Sequence, residues 1–359
     1  MRIALFHATL PEPGRKFGVE VAVHRLANEL AKNGDEVTVF SLGPRPADAA
    51  YQHERLFIGP RWLRRNHLAR WFILPLLLNF AKFEEFDVLH LHGDDWFYFR
   101  RTLPTVRTFH GSALREAQSA TSPKRKLAQY LVYPLEHLSA RLATVPLAIG
   151  EETAEIYKAR RAVDCGVDLQ LFYPGNKSAS PSVLFVGGWE GRKRGRFLFE
   201  TFVEYVLPKI SNAKLYMVSE SCPAHPNVIY VEFPNDEVLA RLMREAWVFA
   251  RPSIYEGFGI PYVEALASGT AIVSSPNGGA NRILADGRYG VLADDNSFGE
   301  HLVELLRDSH KRKALEAKGR ARAGEFSWAA VAVRHREIYL EAVKEEAAAT
   351  TPIKSRRRV

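Results

Sequence analysis

Short β-branched runs alternating with helical patterns constrain this chain most. "RIALF" (2–6), "EVTVFSL" (36–42), "DVLHLHG" (87–93), "TVRTFHG" (105–111) and "VPLAIG" (145–150) are nearly continuous apolar runs. A strand with one wet face alternates polar and apolar residues, so runs of this kind mark strands covered on both faces. Helical stretches lie between them. In the first, Val19, Val23, Leu26 and Leu30 share one face, and Gly34 ends it. Strands alternating with helices imply βαβ units and a parallel sheet. The pattern then restarts with "SVLFVGG", "KLYMVS", "VIYVEF", "WVFARPS", "AIVSSP" and "GVLADD". Two α/β domains are expected, over 1–170 and 178–327, with the Gly-, Pro- and Ser-rich stretch 166–182 between their cores. A helix over 328–347 is expected to pack back on the first domain, and 349–359 to form a basic disordered tail.

The chain has 359 residues, 47% apolar and 25% charged, the balance of an ordinary globular protein. Cys165 and Cys222 lack the spacing of a metal site and read as reduced thiols, which points to the cytoplasm. The longest apolar stretch, "WFILPLLLNF" (71–80), is too short to span a bilayer. The net charge is +8, but it is concentrated. Arg55, Arg61, Arg64, Arg65, Arg70 and Lys82 fall in one segment without an acid, and Lys354, Arg356, Arg357 and Arg358 in the tail. These cations outnumber the whole net charge, so the body is slightly acidic and no nucleic-acid partner is expected. Segment 61–80 interleaves Arg and Trp with apolar residues. Two readings stand: peripheral association of 55–82 with an anionic membrane at its inner face, or a helix of the acceptor groove packed on the sheet. Pro75 is expected to break that helix.

In parallel α/β sheets ligands bind at the carboxyl ends of strands. Two such ends carry distinctive chemistry. In "VLFVGGWEGRKRG" (183–195), Arg192, Lys193 and Arg194 crowd a strand exit and a helix start, a setting suited to a diphosphate. In "YEGFGIPYVEALASG" (255–269), Glu256 sits on a loop with Gly257 and Gly259, and Glu264 about one turn into the following helix. Carboxylates are poor phosphate ligands but good acceptors for sugar hydroxyls. Together the two stretches suit a ligand with both hydroxyls and phosphates, such as a sugar nucleotide. "HLHGDD" (90–95) offers His90, His92, Asp94 and Asp95. A divalent metal is one reading, structural histidines at a strand end the favoured one.

Residues 253–269, with Glu256 and Glu264 as E-x7-E, resemble the donor signature of the family 4 glycosyltransferases. The resemblance extends over almost the whole chain, through "FGVE" (17–20), "DVLHLHG", "TFHG", "CGVDLQLFYP" and "NGGANRIL". It implies the GT-B fold, two Rossmann-like parallel-sheet domains facing across a cleft. It implies a retaining enzyme that needs no metal or other cofactor and uses a nucleotide diphosphate sugar as donor. Carried over, Glu264 binds the nucleotide ribose. Glu256 and the backbone of Gly257, Phe258, Gly259 and Ile260 contact the donor sugar and its phosphates. His110 lies near the anomeric carbon, and Gly18 near the diphosphate. The family's two phosphate-binding cations fall on Gly188 and Arg194, so the first is missing. In an extended loop Arg192 and Arg194 would face one way, so this pair is expected to grip the phosphates, with Lys193 solvated. Asn281 stands where the family has a glutamate, and Cys165 where it has an asparagine.

The chain therefore reads as a retaining transferase acting on a carbohydrate, lipid-linked or small-molecule acceptor, with His110, Glu256 and Arg194 at the reaction centre. A sugar-nucleotide 2-epimerase and a non-catalytic carbohydrate or membrane binder are the alternatives. A dinucleotide dehydrogenase fits worse, because no G-x-G-x-x-G follows the first strand.

Overall fold

The structure is a computed structural model, and it describes residues 1–12, 18–56, 67–120, 122–232 and 234–350. The chain divides into one unit formed by Met1–Val163 with the chain from Val331 onward, and a second formed by Asp164–Ala330.

The first unit holds seven parallel strands: β1 (Arg2–Phe6), β2 (Glu36–Ser41), β3 (Gln52–Arg55), β4 (Val88–Leu91), β5 (Thr105–Phe109), β6 (Val145–Ile149) and β7 (Arg161–Val163). Their order is β3-β2-β1-β4-β5-β6-β7, so the winding reverses between β1 and β4. Every residue of β4 and β5 is buried, as the apolar runs require. The sequence did not signal β3 and β7. "QHER" is almost wholly unburied and "RAV" is three residues long; both lie at sheet edges, where no apolar run is needed.

Helix α1 (Gly18–Lys32) buries Val23, Leu26, Ala27 and Leu30 on the sheet. Gly34, at φ 89°, turns the chain back into β2. Helix α2 (His67–Leu77) runs through Pro75, contrary to the expected break. Proline leaves the carbonyl four residues earlier without its helical partner. Here that carbonyl belongs to Trp71, and the Trp96 indole N–H donates to it at 2.7 Å. Arg61, Arg64 and Arg65 lie outside the described residues, as does the tail beyond 350.

The second unit has six parallel strands: β8 (Ser182–Val186), β9 (Lys214–Val218), β10 (Val228–Val231), β11 (Val248–Arg251), β12 (Ala271–Ser274) and β13 (Val291–Leu292). Their order, β10-β9-β8-β11-β12-β13, reverses between β8 and β11. Its core joins Val183, Phe185, Leu215 and Met217 of the sheet to Leu198, Phe202, Phe298 and Leu302. Two helices follow strands at the site: α8 (Ile260–Ala267) after β11, and α9 (Gly278–Leu284) after β12.

The division falls at Val163/Asp164 rather than at 170. The last helix runs from Trp328 to Thr350. Within the first unit its Tyr339 hydroxyl meets His90 Nδ1 at 2.7 Å, and Arg336 pairs with Asp35 at 3.2 Å.

Candidate active site

In the second unit the winding reversal between β8 and β11 sets two strand exits side by side. The exit of β8 is the basic loop, and a single 3-10 turn, Gly191–Lys193, lies within it. The Ile254 N–H donates to the Arg192 carbonyl at 2.9 Å and ties this loop to the exit of β11.

Glu256 lies at the centre. Its side chain is 5% exposed, and three cations surround it. Arg251 Nε and a terminal nitrogen reach Oε1 at 2.8 and 2.7 Å, Lys193 Nζ also donates to Oε1, and Arg192 reaches Oε2 at 3.0 Å. Burial works to raise the Glu256 pKa, yet Arg251, Lys193 and Arg192 bring it down to about 2. The carboxylate is therefore ionised at any ordinary pH. Lys193 shows the opposite strain: burial, then the Arg251 charge, bring its ammonium down to about 7.

The solvated Lys193 expected from the sequence is not observed. Its side chain is 19% exposed and is held on Glu256. The expectation assumed an extended loop, whereas residues 191–193 make a 3-10 turn and Arg194 follows in the left-handed region, at φ 59°. That turn sends Arg194 to Asp295, which it grips with two bonds of 2.7 Å, its guanidinium 4.1 Å over the Phe197 ring. Arg194 is not among the side chains on Glu256.

Gly259, at φ 84°, precedes α8, and a Cβ there would meet the Tyr262 ring at 2.5 Å. Pro261 occupies the first turn of α8. The Gly279 N–H donates to the Glu256 carbonyl at 3.0 Å, and a Cβ on Gly279 would lie 2.3 Å from the Phe258 carbonyl oxygen. The loop of Gly257 and Phe258 thus rests on the start of α9. The Phe258 side chain belongs to the core, edge-on to Phe326 at 5.8 Å, which leaves only its backbone for a ligand. Glu264 is half-buried, and its carboxylate has no hydrogen-bond partner among the described residues. Burial, then Asp236, push its carboxyl up to about 7, against the pull of Arg251. Arg251 therefore acts electrostatically on both glutamates. Sequence reading missed it. The available signal was a cation closing an otherwise apolar strand, five positions before Glu256.

The first unit collects histidines at its own reversal. His92 Nδ1 meets His110 Nε2 at 2.9 Å, and the rings of His90 and His92 lie 3.9 Å apart. His90 Nε2 meets the Thr108 hydroxyl at 2.8 Å. Burial, with nearby imidazoles and Arg107, holds His110 well below its ordinary pKa; burial and the neighbouring histidines do the same for His92. Asp95 is consumed by Arg107 at 2.7 Å and the Ser139 hydroxyl at 2.6 Å. Among the described residues no group of His, Cys, Asp and Glu is arranged to hold a metal ion. Gly18 opens α1, with no atom of the described residues within 4 Å of where a Cβ would stand.

The profile of Glycosyltransferase Family 4 matches residues 18–171, and that of Glycosyl transferases group 1 matches residues 211–322. A phosphatidyl-myo-inositol mannosyltransferase of Mycobacterium leprae is 27% identical over 282 residues, spanning 71% of this chain and 73% of its own. A D-inositol 3-phosphate glycosyltransferase of Corynebacterium glutamicum is 24% identical, spanning 96% of this chain and 98% of its own. Among solved structures, sucrose-phosphate synthase of Thermosynechococcus elongatus superposes with a TM-score of 0.72 at 22% identity, covering 97% of this chain and 100% of that one. An Anabaena protein, HepE, in complex with UDP and glucose gives 0.70 at 15%, covering 94% and 98%. The chain is a glycosyltransferase of the GT-B fold.

Proposed function

We propose that the chain moves a sugar from a nucleoside diphosphate sugar to an acceptor hydroxyl with retention of anomeric configuration and without a divalent metal. The observation that carries this reading is the pairing of a net-positive cluster at Glu256 with the carboxylate of Glu264, which no described residue hydrogen-bonds. Cations receive the diphosphate, and Glu264 accepts from the ribose hydroxyls. Their charge stabilises the phosphate as it leaves. Glu256 makes a poor nucleophile, since Arg251 clasps its carboxylate with two nitrogens and holds its basicity down. Same-face substitution, in which the leaving phosphate takes the acceptor's proton, fits such a site better than a covalent intermediate. His110 supplies a neutral imidazole for the donor sugar's hydroxyls, and Gly18 a bare backbone near the phosphates. The acceptor is a carbohydrate, a lipid-linked sugar or a small polyol; two relatives are named for inositol-containing compounds. NMR of the early product, formed in excess chelator, should show the donor's own anomeric configuration. Inversion, or activity that depends on added Mg²⁺, would contradict it.

One further observation favours attachment to a membrane surface. No described helix is long and apolar enough to cross a membrane. Yet Phe72, Leu76, Phe80 and Phe99 are exposed, Phe80 by 80%. Asn79 fastens the two segments that carry them: its amide donates to the Phe97 carbonyl at 2.8 Å and its oxygen accepts from the Phe99 and Arg100 N–H groups. Such an apolar platform, with Phe72, Leu76 and Phe80 in the cationic stretch 55–82 and Phe99 beside them, suits an anionic bilayer at the cytoplasmic face. Sedimentation with anionic vesicles should fall steeply from low to physiological salt; no binding at low salt would leave the acceptor-groove reading.

A further inference from the structure

Three cations on one carboxylate raise a question of roles. Arg251 is fixed. Its side chain is 4% exposed; Nε and one terminal nitrogen hold Glu256, and the other donates to the Val186 carbonyl at 2.5 Å. Arg192 and Lys193 are less confined, with 30% and 19% of their side chains exposed. They also approach the carboxylate differently. Arg251 and Lys193 share Oε1, while Arg192 takes Oε2.

The strand-end position occupied by a cation in the family is Gly188 here. A Cβ at Gly188 would lie 3.5 Å from a Glu220 carboxylate oxygen, and the neighbouring Trp189 N–H donates to the same carboxylate at 2.9 Å. A cation rooted at this position would face an acid. Arg251, on the neighbouring strand β11, brings a guanidinium to the end of β8 instead, where it donates to the Val186 carbonyl.

We propose that Glu256 is a resident anion, which holds Arg192 and Lys193 in the empty site and yields both to the donor's diphosphate, while Arg251 keeps the carboxylate in place. This rests on the donor-site reading above. Three cations and one carboxylate leave a formal +2, which complements a diphosphate. In the empty site the carboxylate offsets repulsion among three crowded cations. When a diphosphate arrives, Arg192 and Lys193 exchange one anion for another. Oε2 then loses its only cation and becomes free to accept a hydroxyl of the donor sugar. Phosphate binding and sugar recognition are thus coupled through one side chain, and Arg251 is a positioning residue. The depressed ammonium of Lys193 is consistent with a cation that gains from a second anion.

An unusual consequence follows: the site competes with its own ligand. Removing the Glu256 charge should strengthen binding of a bare diphosphate even as sugar transfer fails. The test is isothermal titration of the full chain with inorganic pyrophosphate and with UDP, GDP and ADP. Glu256→Gln should bind pyrophosphate roughly tenfold more tightly than wild type, the scale of one charge-assisted hydrogen bond. Arg192→Ala and Lys193→Met should each bind roughly tenfold more weakly. Glu256→Asp, which keeps the charge for Arg251 but shortens its reach, should shift affinity in the same direction as Glu256→Gln and guards against misfolding of the latter. Wild type that binds pyrophosphate or a nucleotide, with folded Glu256→Gln and Glu256→Asp binding no more tightly, would overturn the resident anion and leave the donor site standing. Wild type that binds none of the four would overturn both.

Discussion

The two sheets reverse their winding at equivalent places and finish there with opposite electrostatics. At the strand ends of the first, His92 and His110 touch, and burial and nearby cationic or imidazole groups hold both well below the ordinary imidazole range. At those of the second, Glu256 is held ionised among Arg192, Lys193 and Arg251. A neutral imidazole gives or takes a hydrogen bond without drawing an anion, whereas a net-positive cluster recruits one. The doubly wound sheet thus fixes where chemistry happens, and the last residues of each strand fix its sign.

The largest expected effect comes from removing the buried guanidinium. Arg251→Met leaves a nearly buried carboxylate short of its main partner and should destabilise the second unit by about 3 kcal/mol, the low end for a broken buried pair because two cations remain. Urea denaturation reads this out, and an unchanged midpoint would mean that Arg251 does not hold Glu256. The Glu256 pKa lies below its ordinary 4.5, so the stability it contributes is present above that value and is lost as pH falls toward 2. Stability profiles of wild type and Glu256→Gln should therefore draw together as pH falls from 4.5 and meet only near about 2.

A smaller effect sharpens the contrast within the second unit. Glu264→Gln should weaken nucleoside diphosphate binding by roughly 1.5–3 kcal/mol at pH 8. Its carboxyl titrates at about 7, so it is ionised above that pH and neutral below. The gap between wild type and variant should shrink at pH 6; taking the difference cancels the titration of Lys193 in the same range. A gap that ignores pH would remove an ionised Glu264 from the ligand.

The smallest effect belongs to Arg194. Its partner Asp295 has a side chain 54% exposed, and pairs of this kind contribute at most about 1 kcal/mol. Arg194→Ala should leave turnover within a few-fold of wild type. A loss on the order of 10²-fold, the scale for one charge stabiliser, would return Arg194 to the phosphates.

Much of this was legible in the chain. Buried strands such as β4 and β5 announce themselves as apolar runs, and Pro261 and Gly259 mark the start of α8. Edge strands do not, because "QHER" buries almost nothing. The helix through Pro75 was unreadable, since its remedy, the Trp96 indole, is 21 residues away. Side-chain direction in the basic loop was misread for a local reason: a 3-10 turn and one left-handed residue reverse the alternation of an extended chain. Arg251 was hidden in a strand that otherwise reads as core.

The most direct test of the account is release of nucleoside diphosphate from a panel of UDP-, GDP- and ADP-sugars in excess chelator. The account predicts that wild type cleaves at least one of them, and that Glu256→Gln slows this by on the order of 10²-fold while still binding the diphosphate. Cleavage of none, or cleavage by Glu256→Gln at the wild-type rate, would contradict it.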